Sequence, residues 1–161
     1  MLPLLCGIAP AADADALRAV EGEFREAIRR LKPATVICLP AGVRGERAGF
    51  SSGVIVSRDG LVLSDGDAGL VWRVQNGETV RSWRSLVDVR VPRAETGSFV
   101  TYRARVLRRD TTVDTTLLKI ENPPQAGFPF VPPGESASLR VGDFAFVVGS
   151  SSFTDGGSQP T

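Results

Sequence analysis

The pattern of apolar residues along the chain changes at Pro33. Before this proline, apolar residues recur at intervals of three and four, which is the spacing of one face of an α-helix. They are Leu17, Val20, Phe24, Ile28 and Leu31. Proline disfavours helical geometry at the residue before it, so the pattern predicts an amphipathic helix over residues 15–32. We expect this helix to pack across the end of the domain that follows, and a partner-binding helix is the alternative.

After Pro33, short runs rich in β-branched residues alternate with turn residues. The runs predict strands at 34–39, 53–56, 61–63, 70–74, 87–91, 100–107 and 115–120. A tight hairpin is predicted at Arg58-Asp59-Gly60, where Gly60 supplies the positive φ that the turn requires. Strands at this spacing without intervening helices are typical of an antiparallel all-β barrel or sandwich.

Composition narrows the classes of protein that fit this pattern. Hydrophobic residues make up 42% of the chain and charged residues 23%, which is typical of a folded globular domain. No apolar run approaches the roughly 18 residues that a membrane-spanning helix needs. The net charge of +1 gives no reason to expect nucleic-acid binding. The chain has no histidine, which removes the usual general base and the commonest metal ligand, and we predict no metal and no cofactor.

The amino-acid composition near the two ends of the chain differs from that of the middle. An apolar stretch over residues 2–8 is followed by small residues, and this predicts a remnant signal peptide over 1–14 and export to the periplasm or outside the cell. An unstructured tail is the alternative. Residues 123–138 are rich in proline and glycine and predict a linker. Residues 139–161 contain one predicted strand, at 144–148, followed by a flexible tail, so we expect them to open a second domain.

Three segments, taken in order, resemble trypsin-like serine proteases of the HtrA/DegP type. Residues 50–64 are similar to the hairpin that leads into that family's catalytic histidine loop. Residues 104–120 are similar to the stretch that carries its catalytic aspartate, and residues 139–144 to the opening of its second barrel. The resemblance implies a six-stranded antiparallel trypsin-like barrel over 33–122, the first of the family's two barrels, with the second barrel incomplete.

The same resemblance assigns the candidate site. The family's histidine falls four residues after Leu63, at Asp67, and its aspartate falls at Asp114. The nucleophilic serine belongs to the second barrel, and we assign it to no residue here. Because an aspartate has an ordinary pKa near 3.9, it is a weak base toward a hydroxyl at neutral pH, and we predict that the domain is inactive as written. The alternative is a fragment of an active serine endopeptidase whose remaining domain lies outside this chain.

The resemblance also implies partners, namely unfolded or extended polypeptides and a second copy of the chain bound through an exposed barrel face.

Other catalytic or metal-binding chemistry is disfavoured by the local sequence. Ser158 has its glycines on the wrong side for a nucleophile loop, and Asp67 with Asp114 lacks the glycine of an aspartic-protease dyad. A calcium site from Asp59, Asp65 and Asp67 fails the EF-hand template. Trp72 and Trp83 are interpreted as barrel packing and loop cover. The basic residues Arg103, Arg105, Arg108 and Arg109 are interpreted as a solvated face.

Overall fold

The computed structural model describes residues 11–43, 47–93 and 96–149. Within these ranges, one α-helix, α1 (Ala11–Leu31), precedes nine strands. The strands are β1 (Thr35–Pro40), β2 (Arg47–Ala48), β3 (Ser51–Ile55), β4 (Leu61–Asp65), β5 (Leu70–Gln75), β6 (Glu78–Trp83), β7 (Leu86–Pro92), β8 (Phe99–Asp110) and β9 (Thr115–Ile120). The first ten residues of the predicted signal peptide and the predicted tail, including Ser158, lie outside the described residues.

Six of the strands close into an antiparallel barrel in the order β1-β3-β4-β9-β8-β7. Side chains alternate between the two faces of a strand, so every second residue of β7 points inward. Val87 and Val89 are 0% exposed and Val91 is 7% exposed. In β9, Leu118 and Ile120 are buried in the same way. The prediction of a six-stranded antiparallel barrel is therefore confirmed.

The core of the barrel extends into the segment that the sequence marks as a linker. Phe128 is 6% exposed, and its ring meets the ring of Tyr102 edge to face with 5.0 Å between centroids. Its backbone N–H donates to the carbonyl of Arg58 at 2.9 Å. The backbone N–H of Val131 likewise donates to the carbonyl of Ile55 at 2.9 Å. Phe128 and Val131 thus pack on the barrel, whereas Pro129 and Phe130 between them are exposed.

The remaining strands form a second, smaller sheet in the order β2-β5-β6. β5 and β6 are joined by Asn76 and Gly77, whose φ values of 53° and 81° correspond to the type I′ turn that favours an Asn-Gly pair. The predicted strands did not include β6, since all six of its residues are exposed and no apolar alternation marks it. The Asn-Gly pair was the signal in the sequence for this hairpin.

Helix α1 begins earlier and packs less than the sequence predicts. Residues 11–14, assigned above to the signal peptide, belong to the helix. The expectation that the helix packs across the barrel end is wrong, since Leu17 is 62% exposed, Val20 42% and Ile28 45%. Phe24 instead meets Phe146 edge to face, with 5.2 Å between ring centroids. The barrel fills its core with its own strands and Phe128, so the apolar face of the helix adds nothing to that core.

The predicted strand at 144–148 does not form in the described structure. Phe144 and Val147 are 88% and 98% exposed, and none of the described strands pairs with this segment. A single strand has no stability without a hydrogen-bonded neighbour, which accounts for the difference. The described residues also contain no helix that is both long and apolar enough to cross a membrane.

Candidate functional site

The pairing of β4 with β9 brings the two candidate acidic residues to one end of the barrel. Asp65, the last residue of β4, lies opposite Thr115, the first residue of β9. Asp67 therefore follows β4 in a turn, and Asp114 precedes β9 in another. The carboxylate of Asp114 lies against Gly66, so closely that a Cβ at position 66 would collide with it. A Cβ at position 66 would therefore force this side chain to shift, and Asp114 itself adopts a left-handed backbone with a φ of 50°.

The turn that carries Asp67, residues 66–69, is held by the side chain of Arg109; we call this turn the Asp67 loop. Arg109 Nε donates to the carbonyl of Gly66 at 3.1 Å, and Nη2 donates to the carbonyl of Ala68 at 2.5 Å. These two carbonyls flank Asp67 in the chain. A planar guanidinium presents its N–H groups as a rigid fork, so one side chain fixes the backbone on both sides of Asp67.

A tryptophan from the outer sheet completes this arrangement. The indole Nε1 of Trp83 donates to the same Gly66 carbonyl at 3.2 Å. The guanidinium carbon of Arg109 lies 5.5 Å from the centroid of the Trp83 ring, within cation–π range. Burial lowers the pKa of Arg109, and the charge of Asp67 opposes that shift. The guanidinium of Arg109 and the carboxylate of Asp67 therefore attract each other electrostatically.

The interpretation of the four arginines of β8 as one solvated face is wrong for Arg109, whose guanidinium bonds the Asp67 loop. Three of these arginines do remain at the surface in ion pairs, namely Arg103 with Asp88 at 2.8 Å, Arg105 with Glu121 at 2.9 Å and Arg108 with Asp110 at 3.6 Å. A register shift between Val106 and Arg108 then leaves Leu107 without a partner residue in β9. Arg109 lies opposite Thr116 as a result, and its Nε also reaches the Thr116 hydroxyl at 3.3 Å. A β-bulge of this kind redirects a side chain, and no local pattern in the sequence announces it.

A third carboxylate, that of Asp65, connects the two candidate residues. Its Oδ1 accepts a hydrogen bond from the backbone N–H of Asp67 at 2.9 Å. Burial raises the pKa of Asp65, and the charges of Asp67 and Asp114 add to the rise. Asp65 and Asp114 line an open cleft of about 290 Å³ with Ser52, Ser64 and Val148. No set of three acidic or cysteine side chains within the described ranges is arranged to hold a metal ion.

The thiol nearest this cleft is chemically inert. Cys38 is 0% exposed, and burial raises the pKa of its thiol to about 12, with a hydrogen bond involving Ser64 acting in the opposite direction. The thiol is therefore protonated at neutral pH and offers no thiolate nucleophile. The described site offers carboxylates, hydroxyls and a guanidinium, and the sequence contains no imidazole.

A closed six-stranded antiparallel barrel with acidic loops after β4 and before β9 defines this chain as a trypsin-like barrel. The family model described as the trypsin-like peptidase domain matches residues 51–160, which is most of the chain. The chain belongs to the trypsin-like peptidase family.

The fold is shared with solved protease structures. A serine endoprotease from Yersinia pestis is similar to this chain with a TM-score of 0.50 and 22% sequence identity. The similarity covers 74% of this chain and 36% of that protease, so the chain spans little more than a third of its length. No sequence match is found among curated proteins.

Proposed function

We propose that this chain is an HtrA/DegP-like member of its family whose barrel is catalytically inactive and binds extended polypeptides. The observation that carries the proposal is the identity of Asp67 at the position that the resemblance assigns to the catalytic histidine. The two hydrogen bonds from Arg109 to the carbonyls that flank Asp67 support it, because they hold the Asp67 loop in one position.

The chemistry of the family explains why this replacement abolishes turnover. In a serine protease triad, an imidazole removes the serine proton during attack and later gives it to the leaving amine. A carboxylate with an ordinary pKa near 3.9 holds a proton too weakly at neutral pH to do either task. Asp114, in the position of the orienting aspartate, has no ring N–H to bind. Losing such a group costs several orders of magnitude in rate.

Two assays on the purified chain test the proposal. Incubation with unfolded casein is expected to give no cleavage above the protein-free control. The fluorescence anisotropy of labelled unfolded casein is expected to rise on titration with the chain. The anisotropy of a labelled folded protein, lysozyme, is expected to stay constant in the same titration. Turnover that disappears in Asp67→Asn or Asp114→Asn would show that the barrel is an enzyme, and a flat titration would remove the binding role.

The second candidate function is that of a fragment of an active serine endopeptidase completed by another domain. The match to the trypsin-like peptidase family favours it. The test is to express this chain together with the coding sequence that adjoins it and to add a fluorophosphonate probe that labels activated serines. Labelling of the longer product supports this candidate, and an unlabelled, folded product contradicts it.

We also propose that the protein is exported, on the basis of the apolar and small residues at the start of the sequence. A fusion of residues 1–32 to an alkaline phosphatase that lacks its own signal tests this, because that enzyme is active only after export. Activity equal to that of a signal-less control contradicts the proposal.

A further inference from the structure

The outer edge of β6 is the longer of the two open strand edges of the smaller sheet, whose other edge strand, β2, has only two residues. The barrel strands pair on both sides, whereas β6 is the last strand of its sheet and pairs only with β5 within the described part of the chain. Gln75 and Glu78 pair directly across the two-residue turn, so alternate residues of β6 hydrogen-bond to β5. Thr79, Arg81 and Trp83 therefore direct their backbone N–H and C=O groups outward. The bond from the Arg84 N–H to the Gly69 carbonyl, 2.8 Å, continues the same alternation.

The side chains of the same residues form one face of the hairpin. Arg81 lies opposite Trp72, and Trp83 lies opposite Leu70. Arg81, Trp72, Leu70 and Thr79 line an open cleft of about 250 Å³ together with Asp67. The exposed backbone edge and this cleft are thus adjacent, and both border the Asp67 loop.

The charge of Arg81 indicates the chemistry of an incoming segment. Arg81 is exposed and makes no hydrogen bond or ion pair with another described residue. Asp67, which shares its cleft, already interacts electrostatically with Arg109. Arg81 is therefore the cation that remains available to a carboxylate at this edge. Trp83 is fixed by the bond from its indole to Gly66 and is still 47% exposed, so it offers a rigid apolar surface two residues away.

We propose that the edge of β6 binds an extended polypeptide as an added antiparallel strand, with an acidic side chain opposite Arg81 and an apolar side chain opposite Trp83. This inference rests on the proposed polypeptide binding and assigns it a site and a sequence preference. Strand addition draws its affinity from backbone hydrogen bonds, and its specificity from alternate side chains. Residues directly opposite each other in an antiparallel pair have Cβ atoms about 5 Å apart, which brings a glutamate within reach of Arg81.

The test uses a fluorescein-labelled heptapeptide of alternating threonine and valine with one central glutamate, and a second peptide with lysine in its place. Fluorescence anisotropy with the full chain is expected to show about threefold to tenfold tighter binding of the glutamate peptide, in line with single cross-strand charge pairs. Arg81→Glu is expected to reverse the preference. Arg108→Glu makes the same charge change at an exposed position of the barrel and is expected to leave the preference unchanged.

A second variant tests the backbone edge directly. Arg81→Pro removes the outward N–H but no bond to β5, because Arg81 and Trp72 form a non-hydrogen-bonded pair. It is expected to abolish binding of both peptides while circular dichroism shows an unchanged thermal transition. Labelled unfolded casein is titrated in parallel. If both variants still bind casein as the wild type does, the site at β6 is wrong and the proposed function stands. If the wild type binds neither casein nor the peptides, both the site and the proposed function are wrong. Light scattering is used to compare the molar masses of the wild type and Arg81→Pro. A dimeric wild type and a monomeric variant would assign the edge to a second copy of the chain and would also overturn the inference.

Discussion

The barrel and the outer sheet use the same kind of strand for different purposes. In the barrel, every strand has two neighbours, and strands such as β7 and β9 bury every second residue, as with Val89 and Leu118 at 0% exposed. In β6, all six residues are exposed and one edge has no partner among the described strands. Most of the buried core therefore lies in the barrel, while β6 presents backbone and side chains to solvent. A binding role belongs on the part of the fold whose polar groups are still available.

The largest expected difference between the two regions is in core packing. Leu118→Ala in β9 is expected to lower the free energy of unfolding by about 2–5 kcal/mol, because it leaves a cavity in a fully buried site. Val80→Ala in β6 is expected to change it by less than about 0.5 kcal/mol, since Val80 is 46% exposed. Urea denaturation measures both. Similar losses for the two variants would mean that the hairpin is part of the cooperative core.

Arg109 connects the two regions, because its guanidinium bonds the loop after β4 and stacks near Trp83. Arg109→Met is expected to lower the free energy of unfolding by about 1.5–3 kcal/mol, the range for hydrogen bonds to a charged group. Arg109→Lys keeps the charge but not the two-pronged geometry, so it is expected to recover only part of that loss. Tryptophan fluorescence is expected to shift in both variants as Trp83 loses its neighbour. Full recovery with lysine would show that charge alone holds the Asp67 loop.

The turn of the outer hairpin is expected to have a smaller and local effect. Gly77 has a φ of 81° and open space around it, so Gly77→Ala costs about 1 kcal/mol through backbone strain alone. Gly77→Asn is expected to cost less, because asparagine tolerates this conformation. Hydrogen exchange of the β5 and β6 amides is expected to accelerate while exchange in β9 stays unchanged. Equal acceleration in β9 would contradict the separation of the two regions.

The same difference explains what the sequence could predict. The barrel strands were predicted because burial imposes an apolar alternation, which is visible in Val87, Val89 and Val91. β6 has no such alternation, and the feature of the sequence that indicates its hairpin is the turn pair Asn76-Gly77. Asp67 and Asp114 were singled out by the family resemblance, and the structure has both in turns at one end of the barrel. Their roles stay a prediction.

The direction of the Arg109 side chain could not be predicted from any pattern in the sequence. Its neighbours Arg105 and Arg108 are exposed and ion-paired, and the run of arginines reads as one surface. The bulge after Val106 alone directs Arg109 toward the loop. A change of one residue in register depends on the packing of the whole barrel, so local spacing does not encode it.

The smallest expected effect concerns the acidic end of the barrel, where Asp65→Asn is expected to stabilise the protein at pH 7. Burial and the charges of Asp67 and Asp114 raise the pKa of Asp65 above 3.8, so the folded state holds this proton more tightly than the unfolded state. The wild type therefore loses stability as pH rises from about 3.8 through the raised value, and the variant does not. Because solvent screens this partly exposed carboxyl, the gain is expected to stay below about 1 kcal/mol.

The matched control has the opposite sign. Lys119 and Ser57 hydrogen-bond the carboxylate of Asp59 and lower its pKa, so this group stabilises the fold above its ordinary pKa and ceases to do so as pH falls. Asp59→Asn is thus expected to destabilise the protein at pH 7, and both variants are expected to match the wild type near pH 2. Urea denaturation at the two pH values measures this. An Asp65→Asn gain that persists at the lower pH would assign the effect to packing, because the carboxyl is then neutral in folded and unfolded chains alike.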